Sequence, residues 1–285
     1  MDSRADAAEC NACGSGHLEP VTLPSGHAAQ RCGDCGLLRA DVDQASQELY
    51  ESAYDASHDG FKWTARLKVH REAMAGRHGR LPWFQRAFLR KARPAGGGRM
   101  LDIGCSTGGF LLACRGAGWR VAGLDISSRA VELARELVPD GEFHCGELGG
   151  APWPAGTFEA ATSWEVIEHV SDPLAMVVQA GTLLAPGGTL TVSTPDWGSW
   201  AIRRHKAPNY WPPYHLWFFG GRSIRALFKR AGLEVTALVR NRIAWSETGW
   251  PRRKRWLALP WLLWRGVARG EGGGRLVVTG RKPGQ

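Results

Sequence analysis

From Arg99 onward the chain alternates short apolar runs with amphipathic stretches. The runs at 100–103, 121–125, 143–145, 158–164 and 189–194 are short, of strand length, and mix apolar with small or hydroxyl residues and few charges, as strands covered on both faces can. Helical stretches opening at Thr107, Ser127 and Pro173 separate them, and a helix near 223–231 followed by runs at 233–239 and 275–279 closes the series. This alternation predicts an α/β chain built on a doubly wound parallel sheet. Upstream, the spacing predicts two helices, one over 61–78 and one opening at Pro82, whose Trp83, Phe84, Ala87 and Phe88 share a side. Pro94 and the glycines at 96–98 break the chain after them. The reading therefore divides it into a front module at 1–48, a helical cap or linker at 49–95 and a main domain at 96–285.

The front module carries its own chemistry. Cys10 and Cys13 form one C-x2-C pair and Cys32 and Cys35 a second, with eighteen residues between them. Each pair places two thiolates on one side of a metal, and a hairpin of this length returns the second pair to complete a tetrahedron, which predicts a zinc ribbon. Gly14, Gly33 and Gly36 are expected to supply the left-handed backbone of the two knuckles. Four sulfur ligands leave no open position, so the Zn²⁺ would be structural, with a small core separate from that of the main domain.

In the main domain, chemistry gathers at the end of the first strand, Leu101-Asp102-Ile103-Gly104-Cys105-Ser106-Thr107-Gly108-Gly109. Small residues there let a ligand approach the backbone, and the following helix offers unpaired N–H groups. A nicotinamide dinucleotide site is the rival reading of such a glycine pattern. Asp102 counts against it, because a carboxylate two residues before the first glycine repels a pyrophosphate and attracts an ammonium. Asp125, ending the next strand, is placed to accept the hydroxyls of a ribose. Together they suggest an adenosine ligand with a cationic tail.

On these residues the segment 99–283 resembles the class I S-adenosylmethionine-dependent methyltransferases. LDIGCSTG stands as motif I, VAGLDIS as the ribose-binding strand, WEVIEHV as the segment after the fourth strand and LLAPGGTLTVSTP as the fifth-strand segment. The resemblance implies a seven-stranded Rossmann-like sheet of order 3-2-1-4-5-7-6 with its last strand antiparallel. It also implies S-adenosylmethionine as cofactor, held by Asp102, Gly104, Cys105, Ser106, Gly108, Asp125, Ile126, Glu147, Leu148 and Trp164. Ser106 stands where the family usually has glycine, and Glu147, at the position that meets the adenine amino group, where aspartate is commoner.

Methyl transfer from a sulfonium is an in-line displacement, so the protein chiefly aligns the nucleophile and takes its proton. Glu165, Glu168 and His169 have i, i+3 and i+4 spacing, which puts them on one face if that turn is helical. His215 follows in Pro213-Tyr214-His215-Leu216-Trp217-Phe218. His169, as base or orienter, with His215 and Glu165, is the expected catalytic set. Glu-x-x-Glu-His is similar to a segment of ubiquinone-pathway O-methyltransferases and small-RNA 2′-O-methyltransferases in which such residues can hold a divalent cation, and Mg²⁺ is the cation carboxylates and water would suit. Tyr210, Trp211, Tyr214, Trp217, Phe218 and Phe219 either wall an apolar acceptor pocket or pack as core. Cys105, Cys114 and Cys145 read as thiols in or near core elements.

Charge changes the picture only locally. The 36 basic against 27 acidic residues give +9, and six of those positive charges, with no acidic residue, lie at 250–270, a tryptophan-rich insertion. It reads equally as a patch for an anionic membrane surface or as a helix that packs its aromatic side and solvates its charges. Its longest apolar run, 256–264, contains Pro260 and falls short of the ~20 residues a membrane-spanning helix needs. The amino terminus has no apolar core like that of a secretory signal, so a cytoplasmic location is expected, with peripheral membrane contact as an option. Nucleic acid is the less favoured partner, because no basic-aromatic pattern runs along the chain. The composite expectation is a methyltransferase acting on a small-molecule acceptor, a hydroxyl of a sugar, lipid-linked intermediate or natural product. An RNA methyltransferase and a non-catalytic adenosylmethionine-binding scaffold are the alternatives.

Overall fold

A computed structural model of the chain describes residues 9–42, 81–94, 96–203, 210–240 and 274–284. The helix expected at 61–78 and the basic insertion at 250–270 lie outside them. In chain order the elements are β1 (Leu18–Thr22), β2 (Ala28–Cys32), β3 (Leu38–Ala40), α1 (Trp83–Lys91), β4 (Arg99–Ile103), α2 (Gly109–Gly116), β5 (Arg120–Asp125), α3 (Ser128–Leu137), β6 (Glu142–Cys145), β7 (Phe158–Trp164), α4 (Pro173–Leu183), β8 (Leu184–Pro195), α5 (Trp200–Arg203), β9 (Trp217–Phe218), α6 (Gly221–Arg230), β10 (Glu234–Arg240) and β11 (Arg275–Arg281).

Seven strands form a mixed sheet in the order β6-β5-β4-β7-β8-β11-β10. Numbering its strands along the chain gives 3-2-1-4-5-7-6, the order that the resemblance implies. β4 pairs in parallel with both β5 and β7, and β5 with β6. Flanked on both edges, β4 buries Met100, Leu101, Asp102 and Ile103, which is why its sequence reads as an unbroken apolar run around one acid. Ser127 caps α3 by accepting from the Ala130 N–H at 3.2 Å, and Ala130, Val131, Ala134 and Leu137 bury one face at helical spacing. No described helix is long and apolar enough to cross a membrane.

Contacts divide the chain into two units. One comprises Met1–Gln44, Ile167–Val177 and Ser193–Gly280; the other comprises Ala45–Val166, Val178–Val192 and Arg281–Gln285. Within the first, β1-β2-β3-β9 form a four-stranded sheet, in which β3 and β9 pair antiparallel with Leu38 opposite Phe218 and Arg39 opposite Trp217. Leu23, Ala29, Leu38 and Ala40 from the front module share one core with Trp211 and Phe218. The expectation of a separate front core is thus corrected: β3 is too short to cover its own apolar side chains and takes a strand from residues 217–218 to do so.

Three smaller expectations change as well. The helix after β4 begins at Gly109 rather than Thr107, because Gly108 adopts a left-handed conformation (φ 77°) that no regular helix includes. Gly14 and Gly36 are left-handed as expected, whereas Gly33 is small for another reason, the His17 ring lying where its side chain would be. Cys145 is exposed, not part of a core.

Phe218→Ala should cost about 3–5 kcal/mol of stability, the usual penalty for emptying a buried aromatic site. Because that ring belongs to the shared core, the four front cysteines should also react faster with a thiol reagent. Unchanged cysteine reactivity in the variant would show that the front module folds independently.

Candidate functional site

The registers that align β4 with β5 bring the loops following them to one level. The N–H groups of Gly104 and Cys105 both donate to the Leu124 carbonyl, at 2.8 and 2.9 Å, so the loop after β4 turns directly over the end of β5. Asp125 then joins the two loops: Oδ2 accepts from the Ser106 N–H at 2.9 Å and Oδ1 from the Ser127 N–H at 3.0 Å. Gly108 N–H closes the turn on the Cys105 carbonyl. Next along the sheet, the Gly146 N–H donates to the Asp125 carbonyl and the Cys145 thiol lies 3.8 Å from the Ile126 carbonyl. Exposed Glu147 and buried Leu148 follow at once, leading into a 3-10 turn. Asp102, Gly104, Cys105, Ser106, Gly108, Asp125, Ile126, Glu147 and Leu148 are therefore contributed by three neighbouring strand ends.

Asp102 is 2% exposed and accepts from the Thr162 hydroxyl at 2.7 Å. Burial pushes its carboxyl well above the ordinary range; the Thr162 bond opposes that rise and the nearby Asp125 charge adds to it. A cationic ligand group at this acid would favour its ionised form. Trp164 ends β7 and packs against Phe84 and Phe88 of α1 and Phe110 of α2, with ring centroids 5.3 to 6.1 Å apart. Its buried indole N–H makes no hydrogen bond among the described residues.

Glu165, Glu168 and His169 do not lie along a helix. Residues 165–171 form irregular turns, and Glu165 is left-handed (φ 57°), which breaks the i, i+3, i+4 face that the spacing suggested. The group that assembles is Glu168, His169 and His215, whose ligand atoms all lie within 4.8 Å of one another. The two rings meet edge to face at 4.7 Å. His169 Nδ1 lies 2.5 Å from the Tyr214 carbonyl, which can only accept, so Nδ1 carries the proton and the neutral ring has its lone pair at Nε2. That nitrogen is 3.9 Å from Glu168 Oε1.

Glu168 is 1% exposed, and among the described residues neither carboxylate oxygen has a partner of full hydrogen-bond geometry. Burial raises its pKa to about 7; its own backbone, the nearby Thr194 hydroxyl and the Arg275 charge only partly counter that. A carboxylate buried this fully is costly unless positive charge lies close to it. A proton or a cation at the trio would relieve that cost. Around it Trp211, Trp217, Phe218 and Phe219 are buried. The described space between Pro195, Trp197, Tyr210, Trp211 and His215 is only about 10 Å³.

In the front module Cys10 Sγ lies 3.5 Å from Cys35 Sγ, and Cys13 Sγ lies 3.6 Å from Cys32 Sγ. All four sulfurs fall within 4.8 Å of one another. A disulfide would need about 2.05 Å. Four sulfurs about 2.3 Å from one Zn²⁺ stand roughly 3.8 Å apart, so the cluster has the dimensions of a tetrahedral site.

The model of a family described as a methyltransferase domain matches residues 71–238, more than half of the chain. The chain belongs to that family. Among curated relatives, a probable S-adenosylmethionine-dependent methyltransferase of Mycolicibacterium smegmatis is 29% identical over 54% of this chain and 60% of its own length. A ubiquinone biosynthesis O-methyltransferase of Thiobacillus denitrificans is 37% identical over 35% of this chain and 46% of its own. The chain spans between a third and three-fifths of the length of the first such relatives. Among solved structures, a Thermotoga maritima S-adenosylmethionine-dependent methyltransferase, a possible histamine N-methyltransferase, shares the fold with a TM-score of 0.56 at 20% identity, covering 81% of this chain and 99% of that one.

In this methyltransferase domain several contributors escape sequence reasoning. Thr162 is bonded to Asp102, and Val166 fills the space a side chain at Gly104 would need. No spacing rule announces either, since both depend on which strand lies beside β4. The pairing of His215 with Glu168 is likewise a product of topology, 47 residues apart in sequence.

Glu168→Gln tests the buried acid. Its carboxyl pKa is higher folded than unfolded, so the folded state binds the proton more tightly and the parent loses stability as pH rises from about 4.5 towards 7. At pH 8, without added divalent cation, the variant should be more stable than the parent by up to about 3 kcal/mol, and near pH 4 the gain should vanish. Thermal melts at both pH values measure it; an equal effect at both would mean that the carboxylate is not ionised at a cost.

Proposed function

We propose that this domain transfers a methyl group from S-adenosylmethionine to a hydroxyl of a small-molecule acceptor. The observation that carries the reading is the pair of buried carboxylates, Asp102 and Asp125, bracketing a loop of small residues at the ends of adjacent parallel strands. Asp102 would meet the ammonium of the cofactor's amino-acid tail, Asp125 the ribose hydroxyls and Glu147 the adenine amino group, with Leu148 beside the ring. The cofactor supplies an electrophilic methyl on a sulfonium. With the cofactor bound, the acceptor oxygen would form the new C–O bond as the C–S bond breaks and its electron pair returns to sulfur. His169 Nε2, the nitrogen with the lone pair, would take the hydroxyl proton, with His215 and Glu168 holding the charge that results. Glu165 would line the approach. The ubiquinone biosynthesis O-methyltransferases among the relatives support oxygen as the methylated atom. The four front cysteines would hold one structural Zn²⁺.

A second reading of the trio is favoured by the unsatisfied Glu168 carboxylate: a divalent cation could bridge it to His169 and His215 and lower the pKa of the acceptor hydroxyl. Two imidazoles and one carboxylate suit Mn²⁺, Fe²⁺ or Co²⁺ better than the Mg²⁺ expected from carboxylates alone. Elemental analysis after incubation with Mn²⁺ decides between them. A second metal equivalent that is absent from Glu168→Gln supports the cation, and one zinc equivalent alone supports the proton reading.

Asp125→Ala should raise the dissociation constant for S-adenosylmethionine by about 10- to 100-fold, the value of losing charge-assisted hydrogen bonds. NAD should bind neither form. Calorimetry checks both, and unchanged affinity in the variant or tight NAD binding by the parent would reject the cofactor assignment.

A further inference from the structure

Two routes of contact run from the cysteine knuckles to the segments bearing Glu168, His169 and His215. The first passes through Asn11, which lies between Cys10 and Cys13. Its Oδ1 accepts from the Leu174 N–H at 2.9 Å and its Nδ2 donates to Asp172 Oδ1 at 3.0 Å. The same Asp172 oxygen accepts from the Ala175 N–H at 3.0 Å. Asp172 and Asn11 thus satisfy the opening turn of α4 together, one from the chain that leaves His169 and the other from a zinc knuckle. Arg230 fixes the knuckle from behind, donating to the Cys10 carbonyl at 2.7 Å.

The second route is the strand pairing. β3 begins three residues after Cys35, and β9 begins two residues after His215. The two strands pair, and the Ala40 N–H donates to the Leu216 carbonyl at 2.8 Å. From there the Leu216 and Trp217 N–H groups both donate to the Glu168 carbonyl, at 2.9 and 3.2 Å, and the Trp217 indole donates to the Val170 carbonyl at 2.8 Å. The segments carrying the trio are therefore tied to each other next to β9, and each is separately tied to the front module.

We propose that the four-cysteine module is a positioning element of the acceptor site, with Asn11 the residue through which one knuckle fixes the Glu168–His169 turn; this rests on the role proposed above for the trio. The physical case is one of tolerance. A proton-transfer group must be held within about 0.5 Å of its productive place, and irregular turns such as 165–171 do not hold themselves that well. A four-residue knuckle has little stability of its own, but one bound to Zn²⁺ is rigid, because small metal modules fold with their metal. Asp172 alone could cap the Ala175 N–H; the Leu174 N–H is met by Asn11.

The test uses the full chain loaded with zinc and labelled at histidine. In imidazole ¹H–¹³C spectra, Asn11→Ala should displace the resonances of both His169 and His215, whose mutual ring contact makes their shifts sensitive to small rotations. His144, in β6, should stay in place. Zinc should remain at one per chain, and affinity for S-adenosylmethionine should stay within about twofold, since its residues belong to the other unit. If Asn11→Ala fails to hold zinc, Asn11→Asp replaces it: it keeps an acceptor for Leu174 but sets a carboxylate against Asp172, and should move the same two signals. Unmoved His169 and His215 signals in a zinc-loaded variant overturn the proposal. Methyl transfer by His215→Ala tests the underlying reading separately: displaced signals in the Asn11 variant with full transfer by His215→Ala keep the positioning role and reject the acceptor site.

Discussion

The backbone carbonyl of Glu168 receives two N–H donors, from Leu216 and Trp217, while the carboxylate of the same residue is buried without a hydrogen bond of full geometry among the described residues. Much of the first unit follows from this residue. The two donors set where β9 begins, β9 sets where β3 can pair, and the strand start two residues past His215 brings that imidazole to the carboxylate. A carboxylate removed from water without a partner is costly, and a fold retains one where a proton or a cation will relieve it. The raised pKa of Glu168 expresses that cost, and the His169 ring 3.9 Å away could carry the relieving charge.

The second unit is organised by a different acid. Asp125 accepts from the N–H groups of Ser106 and Ser127, so one side chain joins the loop after β4 to the start of α3. The residue that a ribose would contact is thus also the residue that shapes the site. Binding and loop order are coupled, and a variant at Asp125 changes both.

The strand and helix alternation was legible because each central strand is covered on both faces, which writes itself into the sequence as apolar runs between amphipathic helices. Asp102 and Asp125 were legible for the opposite reason, as lone acids in otherwise apolar strands. The cysteine spacing announced a four-sulfur cluster, since two C-x2-C turns constrain geometry locally. What local pattern could not give was any relation across the topology. The spacing of Glu165, Glu168 and His169 suggested a helical face, but the left-handed Glu165 removes Glu165 from that group, and His215 joins it through strand pairing instead. The union of the front module with β9 was hidden for the same reason, because a two-residue strand leaves no periodicity to read.

The strain in the second unit is placed where its chemistry is. Among the described residues the non-glycine positions with left-handed backbone are Ser106 and Glu165, in the turns that follow β4 and β7. Such a conformation costs roughly 1–2 kcal/mol for a residue with a side chain, so it persists only where surrounding contacts impose it. The imposing contacts are connected. β4 and β7 are parallel neighbours, and Val166, one residue past Glu165, occupies the volume that any side chain at Gly104 would need. The turn after β7 therefore leaves no room for a side chain at Gly104, and two residues on the left-handed Ser106 donates its N–H to Asp125. In open α/β sheets ligands bind beyond the carboxyl ends of the strands, and here the non-glycine left-handed residues among those described fall at such ends, after the neighbouring strands β4 and β7.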